Sequence, residues 1–292
     1  MLAKDAVIPF VFESLPVRGA LVQLEKSWQR MQRDRGYPEP VAEVLGYSAA
    51  ATALIAQSLK FDGTITLQIN SDGPLNMLVM QSTDDLDLRG MASARDVAGD
   101  MAFADLVAGA RCAVTVESGA MERPYQGIVE ISADSLAASL ENYFVQSVQV
   151  PSHLHLQGDE VLCGGILLQQ MPEESPTLED DWRRLGLLAK TLRKSDLAEG
   201  ASHELLHRIF VEDDVRAFRP RGARFRCRCS RQKVEEVLRV LGEEETRAAC
   251  ETQGRVEVTC EYCGRLRVFD AVDVARVFAE LAVPGSGSDS VH

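Results

Sequence analysis

Two short cysteine pairs carry the chemistry this sequence offers. Cys227-Arg228-Cys229 is answered further along by Cys260-Glu261-Tyr262-Cys263. Four thiolates arriving as two close pairs can close a tetrahedron around one Zn²⁺, because each pair spans one edge while the intervening segment folds back. The first pair is tighter than the two-residue spacing of an ordinary zinc ribbon, and a Cys-x-Cys pair can also close into a disulfide on itself. The motif therefore suits a ligand set, a redox sensor, or both, and a purely structural zinc is the plain alternative.

The flanking charge bears on reactivity. From Val215 to Lys233 the chain carries Arg216, Arg219, Arg221, Arg224, Arg226, Arg228, Arg231 and Lys233 with no acidic residue. Four thiolates on a divalent ion leave a net charge of about −2, and such a collar is expected to offset it and keep the sulfurs ionised. Peroxide or hypochlorous acid would take a thiolate to sulfenic acid, and a neighbouring thiolate would condense with it to a disulfide.

The elements that must position these residues can be read from periodicity. Strands are expected at Val7 to Phe12 and Val17 to Leu24, helix at Leu24 to Arg35, and a long Ala-rich helix from Pro40 to Leu59. Thr64 to Asn70 alternates apolar and polar, Ser71-Asp72-Gly73-Pro74 turns, and Leu75 to Met80 returns. Further strands fit Cys112 to Glu117, Tyr125 to Ile131, His153 to Leu156 and Glu160 to Gln169, with a helix between Ser135 and Val145 capped by Asp134 or Ser135. Residues 1 to 172 thus read as one α+β domain with a mixed, mostly antiparallel sheet.

Composition shifts at Met171-Pro172. Residues 173–222 read as a charged, helical, metastable linker: one helix opens at a capping-box-like Thr177-Leu178-Glu179-Asp180 and carries Trp182, Leu185, Leu188 and Leu192, and a second carries Leu205, Leu206, Ile209 and Phe210. Such short helices are marginal alone and need a neighbour to cover their apolar faces. Residues 223–283 form the four-cysteine module: Ser230 caps a helix that Gly242 ends, Val256–Val258 and Leu266–Val268 are strands flanking the second cysteine pair, and Asp270 caps a final helix. The tail 284–292 is Gly/Ser-rich and reads as disordered.

Bulk properties narrow the classes. The 292 residues are 46% hydrophobic with a formal net charge of −13, which suits a globular chain and argues against one built mainly for nucleic acid. No secretory signal and no membrane-length apolar run is seen, which points to a cytoplasmic protein without membrane contact. Seven cysteines in a reducing compartment favour metal or redox chemistry over a disulfide framework; Cys112, Cys163 and Cys250 stand apart and read as packed residues. His203-Glu204-Leu205-Leu206-His207 spells the zinc-protease motif, yet it sits in an apolar helix with no third ligand following. Phosphate-binding loops and nucleophile elbows are absent, so neither an ATP-driven machine nor an enzyme is expected.

The sequence resembles the heat-shock protein 33 family of redox-regulated bacterial chaperones over nearly its whole length. The resemblance is carried by Val17-Arg18-Gly19, Leu59-Lys60-Phe61-Asp62-Gly63, Leu88-Arg89-Gly90, Tyr125-Gln126-Gly127-Ile128-Val129, Gln149-Val150-Pro151, Leu205-Leu206-His207-Arg208-Ile209-Phe210, Phe225-Arg226-Cys227-Arg228-Cys229-Ser230-Arg231 and Glu257-Val258-Thr259-Cys260-Glu261-Tyr262-Cys263. Val148 and Arg267 depart from it, where an acidic and an aromatic residue are expected.

The resemblance implies an ATP-independent holdase. Reduced, the protein would be an inactive monomer holding one Zn²⁺ on Cys227, Cys229, Cys260 and Cys263. Oxidised, it would pair Cys227 with Cys229 and Cys260 with Cys263, release zinc, unfold its C-terminal region, dimerise and bind unfolding client proteins. Client contacts are expected at Trp182, Leu185, Leu188, Leu206, Ile209 and Phe210. The competing expectation is a zinc-ribbon nucleic-acid-binding protein, suggested by the basic collar.

Overall fold

The computed structural model describes residues 4–59, 61–131, 135–172 and 178–279. Asp134, Thr177 and the tail from Pro284 lie outside them. The chain divides into two compact units between Arg226 and Cys227.

The first unit begins with β1 (Ala6–Phe12), β2 (Val17–Leu24), α1 (Lys26–Gln32) and α2 (Glu39–Ser58). It continues through β3 (Gly63–Asn70), β4 (Met77–Thr83), β5 (Asp87–Ser93), the single turn α3 (Phe103–Leu106), β6 (Arg111–Ser118) and β7 (Tyr125–Glu130). Next come α4 (Leu136–Tyr143), a π-helical turn over Phe144–Val148, β8 (Ser152–Gly158) and β9 (Cys163–Gln170). The segment expected to be a linker supplies α5 (Leu178–Ala189), α6 (Lys194–Ala198), α7 (His203–Ile209), β10 (Val215–Ala217) and β11 (Arg221–Gly222), and β12 (Arg224–Phe225) closes the unit.

Two sheets result. One runs β10-β1-β2-β9-β8 with β11 also beside β1, and the other runs β12-β5-β4-β3-β6-β7. All pairs are antiparallel except β12 with β5. Helix α2 packs against strands of both sheets. Its Ala-rich middle, Ala49 to Ala56, is buried on every side, as a helix without a polar face must be, and the small side chains let two sheets approach it. Its core joins Val41, Leu45, Leu54 and Ile55 to Val22 and Leu167 of the first sheet and Ile65, Leu67, Leu78 and Leu88 of the second.

The other face of the first sheet is also covered. Ile8, Phe10, Leu21, Ile166 and Leu168 pack with Leu185, Leu192, Leu197, Leu206, Ile209 and Phe210, so the neighbour that the charged helices require is this sheet. Burial on both faces explains why Cys163 to Leu168 of β9 shows no polar alternation. A bidentate ion pair from Arg184 to Asp213, 2.8 and 2.6 Å, joins α5 to the loop after α7.

Most expected elements form within a residue or two of their expected bounds. Ser71 Oγ accepts from the Gly73 amide in the β3–β4 turn, and Ser135 Oγ caps α4 through the Ala138 amide. Strand β5 escaped notice because its Asp, Arg and Gly hide the alternation. Val148 packs against the main core, so the departure from the family pattern there is an apolar contact.

The second unit comprises α8 (Arg231–Leu241), α9 (Glu243–Gln253), the hairpin of β13 (Val256–Thr259) and β14 (Leu266–Phe269), and α10 (Ala271–Ala279). Ser230 Oγ accepts from the Lys233 amide and Asp270 Oδ1 from the Asp273 amide, which fixes the starts of α8 and α10. Its core holds Val234, Leu238, Cys250, Phe269, Val274, Val277 and Phe278. Helix α9 gave no apolar stripe to read, since only Thr246 and Cys250 of it are buried.

Candidate metal centre

The four cysteines of the two pairs come from two loops of the second unit. Cys227 and Cys229 lie on the extended run that precedes the Ser230 cap. Cys260 and Cys263 sit in the tight turn between β13 and β14, closed by the Gly264 amide donating to the Cys260 carbonyl at 2.8 Å and the Cys260 amide to the Arg265 carbonyl at 3.1 Å. Gly264 takes φ +67° there, a left-handed conformation that costs glycine nothing.

Their four Sγ atoms lie within 4.8 Å of one another. Cys227 faces Cys260 at 3.7 Å and Cys229 faces Cys263 at 3.5 Å. A tetrahedron of sulfurs at the usual zinc–thiolate bond length has edges of about 3.8 Å, so the spacing fits one tetrahedral ion. Among the described residues this is the one group of three or more His, Cys, Asp or Glu side chains so arranged.

The electrostatics fit a cation as well. Burial and the neighbouring thiols push Cys227 up to about 12, and burial outweighs the Arg265 amide to raise Cys263. Burial also opposes ionisation of Cys260, but the Tyr262 and Cys263 amides and the thiols of Cys227 and Cys263 outweigh it and lower that group. Burial thus opposes the thiolate form at Cys227 and Cys263, and a bound cation would favour it.

Five arginines of the collar are engaged with other groups. Arg216 pairs with Glu13, Arg221 donates to Gln57 and to the Asp84 carbonyl, and Arg224 and Arg226 converge on Asp87. Arg231 pairs with Asp273 at 2.7 Å and Glu235 at 3.4 Å and lies over the Phe269 ring. Glu13, Asp87 and Asp273 are remote in sequence, so part of a run that looks uniformly basic is paired with carboxylates once folded. Backbone amides of the second cysteine loop favour the thiolate form at Cys260.

A profile of the Hsp33 protein family matches residues 5–270. The chain belongs to the Hsp33 family. It is 38% identical over 277 residues to the 33 kDa chaperonin of Nitrosococcus oceani, covering 95% of each chain. It is 38% identical over 290 residues to that of Pseudomonas fluorescens, covering 97% of this chain and 96% of the other. The crystal structure of the 33 kDa chaperonin of Thermotoga maritima shares the fold, with a TM-score of 0.79 at 23% identity over 95% of this chain and 99% of that one.

Among the described residues, those of the zinc-protease motif are not grouped to hold an ion. His203, Glu204 and His207 lie on the exposed face of α7 while Leu205, Leu206 and Ile209 are buried beneath. The His203 ring is 3.3 Å from the Phe218 carbonyl.

The residues expected to meet clients are placed inward in this state. Leu185, Leu206 and Phe210 are fully buried, Ile209 nearly so, and Trp182 and Leu188 pack half-buried against the same cluster. Leu187, Val211 and Phe218 are exposed. Sequence reasoning missed Asp87, His153 and His155, whose partners are distant in the chain. No helix among the described residues is long and apolar enough to cross a membrane.

Proposed function

We propose that this chain is a cytoplasmic, ATP-independent holdase switched by its four cysteines, inactive when reduced and active when oxidised. The observation that carries the reading is the double character of the cluster: four sulfurs spaced to share one ion are also two sequence-adjacent pairs able to form disulfides. When bound, Zn²⁺ would tie both loops of the second unit together on Cys227, Cys229, Cys260 and Cys263, contributing on the order of 10–16 kcal/mol of apparent binding free energy.

Oxidation acts on the sulfurs. One thiolate attacks peroxide, the O–O bond breaks, and sulfenic acid and hydroxide form; the neighbouring thiolate attacks that sulfur, forming the disulfide and expelling a second hydroxide. Two peroxide molecules accept four electrons in making Cys227–Cys229 and Cys260–Cys263. Each disulfide draws its sulfurs to about 2.05 Å and removes them as thiolate ligands. A unit with so small an apolar core loses its fold when that cross-link goes.

Release of α5, α6 and α7 would then present Trp182, Leu185, Leu188, Leu206, Ile209 and Phe210, together with the sheet face they cover, to unfolding clients. Dimerisation of the oxidised form would enlarge that surface, and reductant would reverse the disulfides. The net charge of −13 weighs against the nucleic-acid reading.

The test is to purify the protein under reductant, measure bound metal, expose it to peroxide with warming, and follow metal release alongside light scattering from an aggregating client. One metal per chain, lost as suppression of scattering appears, is the expected result, with Cys229→Ser unable to switch. Metal-free reduced protein, or equal suppression before and after oxidation, would overturn it.

A further inference from the structure

The six residues before the first cysteine form a strap stitched to the first unit at several points. Arg221 and Gly222 pair with Val7 and Ala6 of β1. The Ala223 amide donates to the Asp5 carbonyl at 2.8 Å, and the Ser27 hydroxyl lies 3.4 Å from the Ala223 carbonyl. The Arg224 and Arg226 amides donate to the Leu86 and Leu88 carbonyls at 3.1 and 2.9 Å, while Phe225 packs on the main core and under the Arg30 guanidinium.

Asp87 closes this arrangement. Its side chain is 7% exposed, its Oδ1 accepts from Arg224 Nε, and its Oδ2 accepts from Arg226 Nη1 at 2.9 Å. A nearly buried carboxylate with a guanidinium on each oxygen is a strong anchor, because removing either cation leaves a charge short of its partner. Both arginine side chains are more than half exposed.

The strap lies on the covalent path between the cysteines and the helices α5 to α7.

We infer that Asp87 is a positioning residue of the switch: by holding the strap against β5 it delays transmission of unfolding from the cysteine unit to the covering helices. The inference rests on the redox reading above and specifies its regulation. After oxidation the second unit loses order first, the strap detaches later, and α5 to α7 come free only with or after the strap. Asp87 thus sets the interval between disulfide formation and exposure of apolar surface.

Time-resolved hydrogen exchange on the full chain after a peroxide pulse tests this, reading segments 230–279, 221–226 and 178–209 separately in wild type and Asp87→Asn. The expected wild-type order is that sequence of segments, with a measurable lag before 221–226 opens. In Asp87→Asn the lag shortens by about tenfold, the factor that loss of one charge-assisted hydrogen bond supplies. Arg224→Gln with Arg226→Gln, both at exposed side chains, gives the same shortening without touching the core. Ile55→Val, a comparable loss of stability elsewhere in the first unit, leaves the lag unchanged. Helices opening before the strap, or Asp87→Asn keeping the wild-type lag, would overturn the inference; protection retained across 230–279 after oxidation would overturn the redox reading and this one with it.

Discussion

The imidazole of His153 lies flat against the indole of Trp182, ring centroids 4.2 Å apart and planes 19° apart. The stack joins β8 to α5, and Gly186, one turn further along α5, leaves room for the ring. A methyl on Gly186 would stand 2.5 Å from His153 Nε2. Gly186→Ala should therefore push α5 off the sheet at a cost of about 1–3 kcal/mol. Reduced protein carrying it is expected to bind more apolar dye and to be cut faster by protease within 178–209; a wild-type cleavage pattern would count against this docking.

Phe210 meets Phe12 edge-on, centroids 5.0 Å apart, and Phe10 at 5.9 Å. Phe210→Ala removes a fully buried ring at a cost of roughly 3–5 kcal/mol. The expected outcome is partial suppression of client aggregation under full reduction, read by light scattering. The second unit of this variant should still hold its metal.

His155 Nε2 lies 3.0 Å from the Leu192 carbonyl. Burial, aided by the Lys190 charge, lowers its pKa against the opposing pull of the Leu192 carbonyl and Glu141. The unfolded ring, with an ordinary value of about 6.5, takes a proton before the folded one, so the stability held at neutral pH is lost as pH falls below about 6.5 toward the folded value. Between pH 7.5 and 5.5 the melting temperature of wild type should fall more than that of His155→Asn. Equal falls would show that the ring is not the titrating group.

Leu238 sits in the small core of the second unit at 2% exposure. Leu238→Ala should cost about 2–5 kcal/mol, and on the proposed coupling of this unit's folding to metal binding the loss appears as affinity weakened by roughly 30-fold or more. Competition against a chromophoric chelator measures it. Melting of the first unit should not move.

The structure also separates what was local from what was not. The cysteine spacing, the Ser135, Ser230 and Asp270 caps and the β3–β4 turn each involve residues a few positions apart, where covalent geometry leaves few alternatives. The partners of the arginine collar were not legible for the opposite reason. Arg224 and Arg226 find Asp87 at separations of 137 and 139 residues, and nothing in a run of like charges says which carboxylate folding will bring to it.

The amino-acid sequence by itself determined that this chain pairs an α+β body with a four-sulfur centre and belongs among the Hsp33 proteins, because short-range spacing dictates both secondary structure and chelation. Only the tertiary structure decided where the charged helices lie and what the arginines neutralise, and that His153 meets Trp182. Those outcomes depend on which distant surfaces the sheet topology brings into contact, and close packing and the cost of unpaired buried charge then select among them.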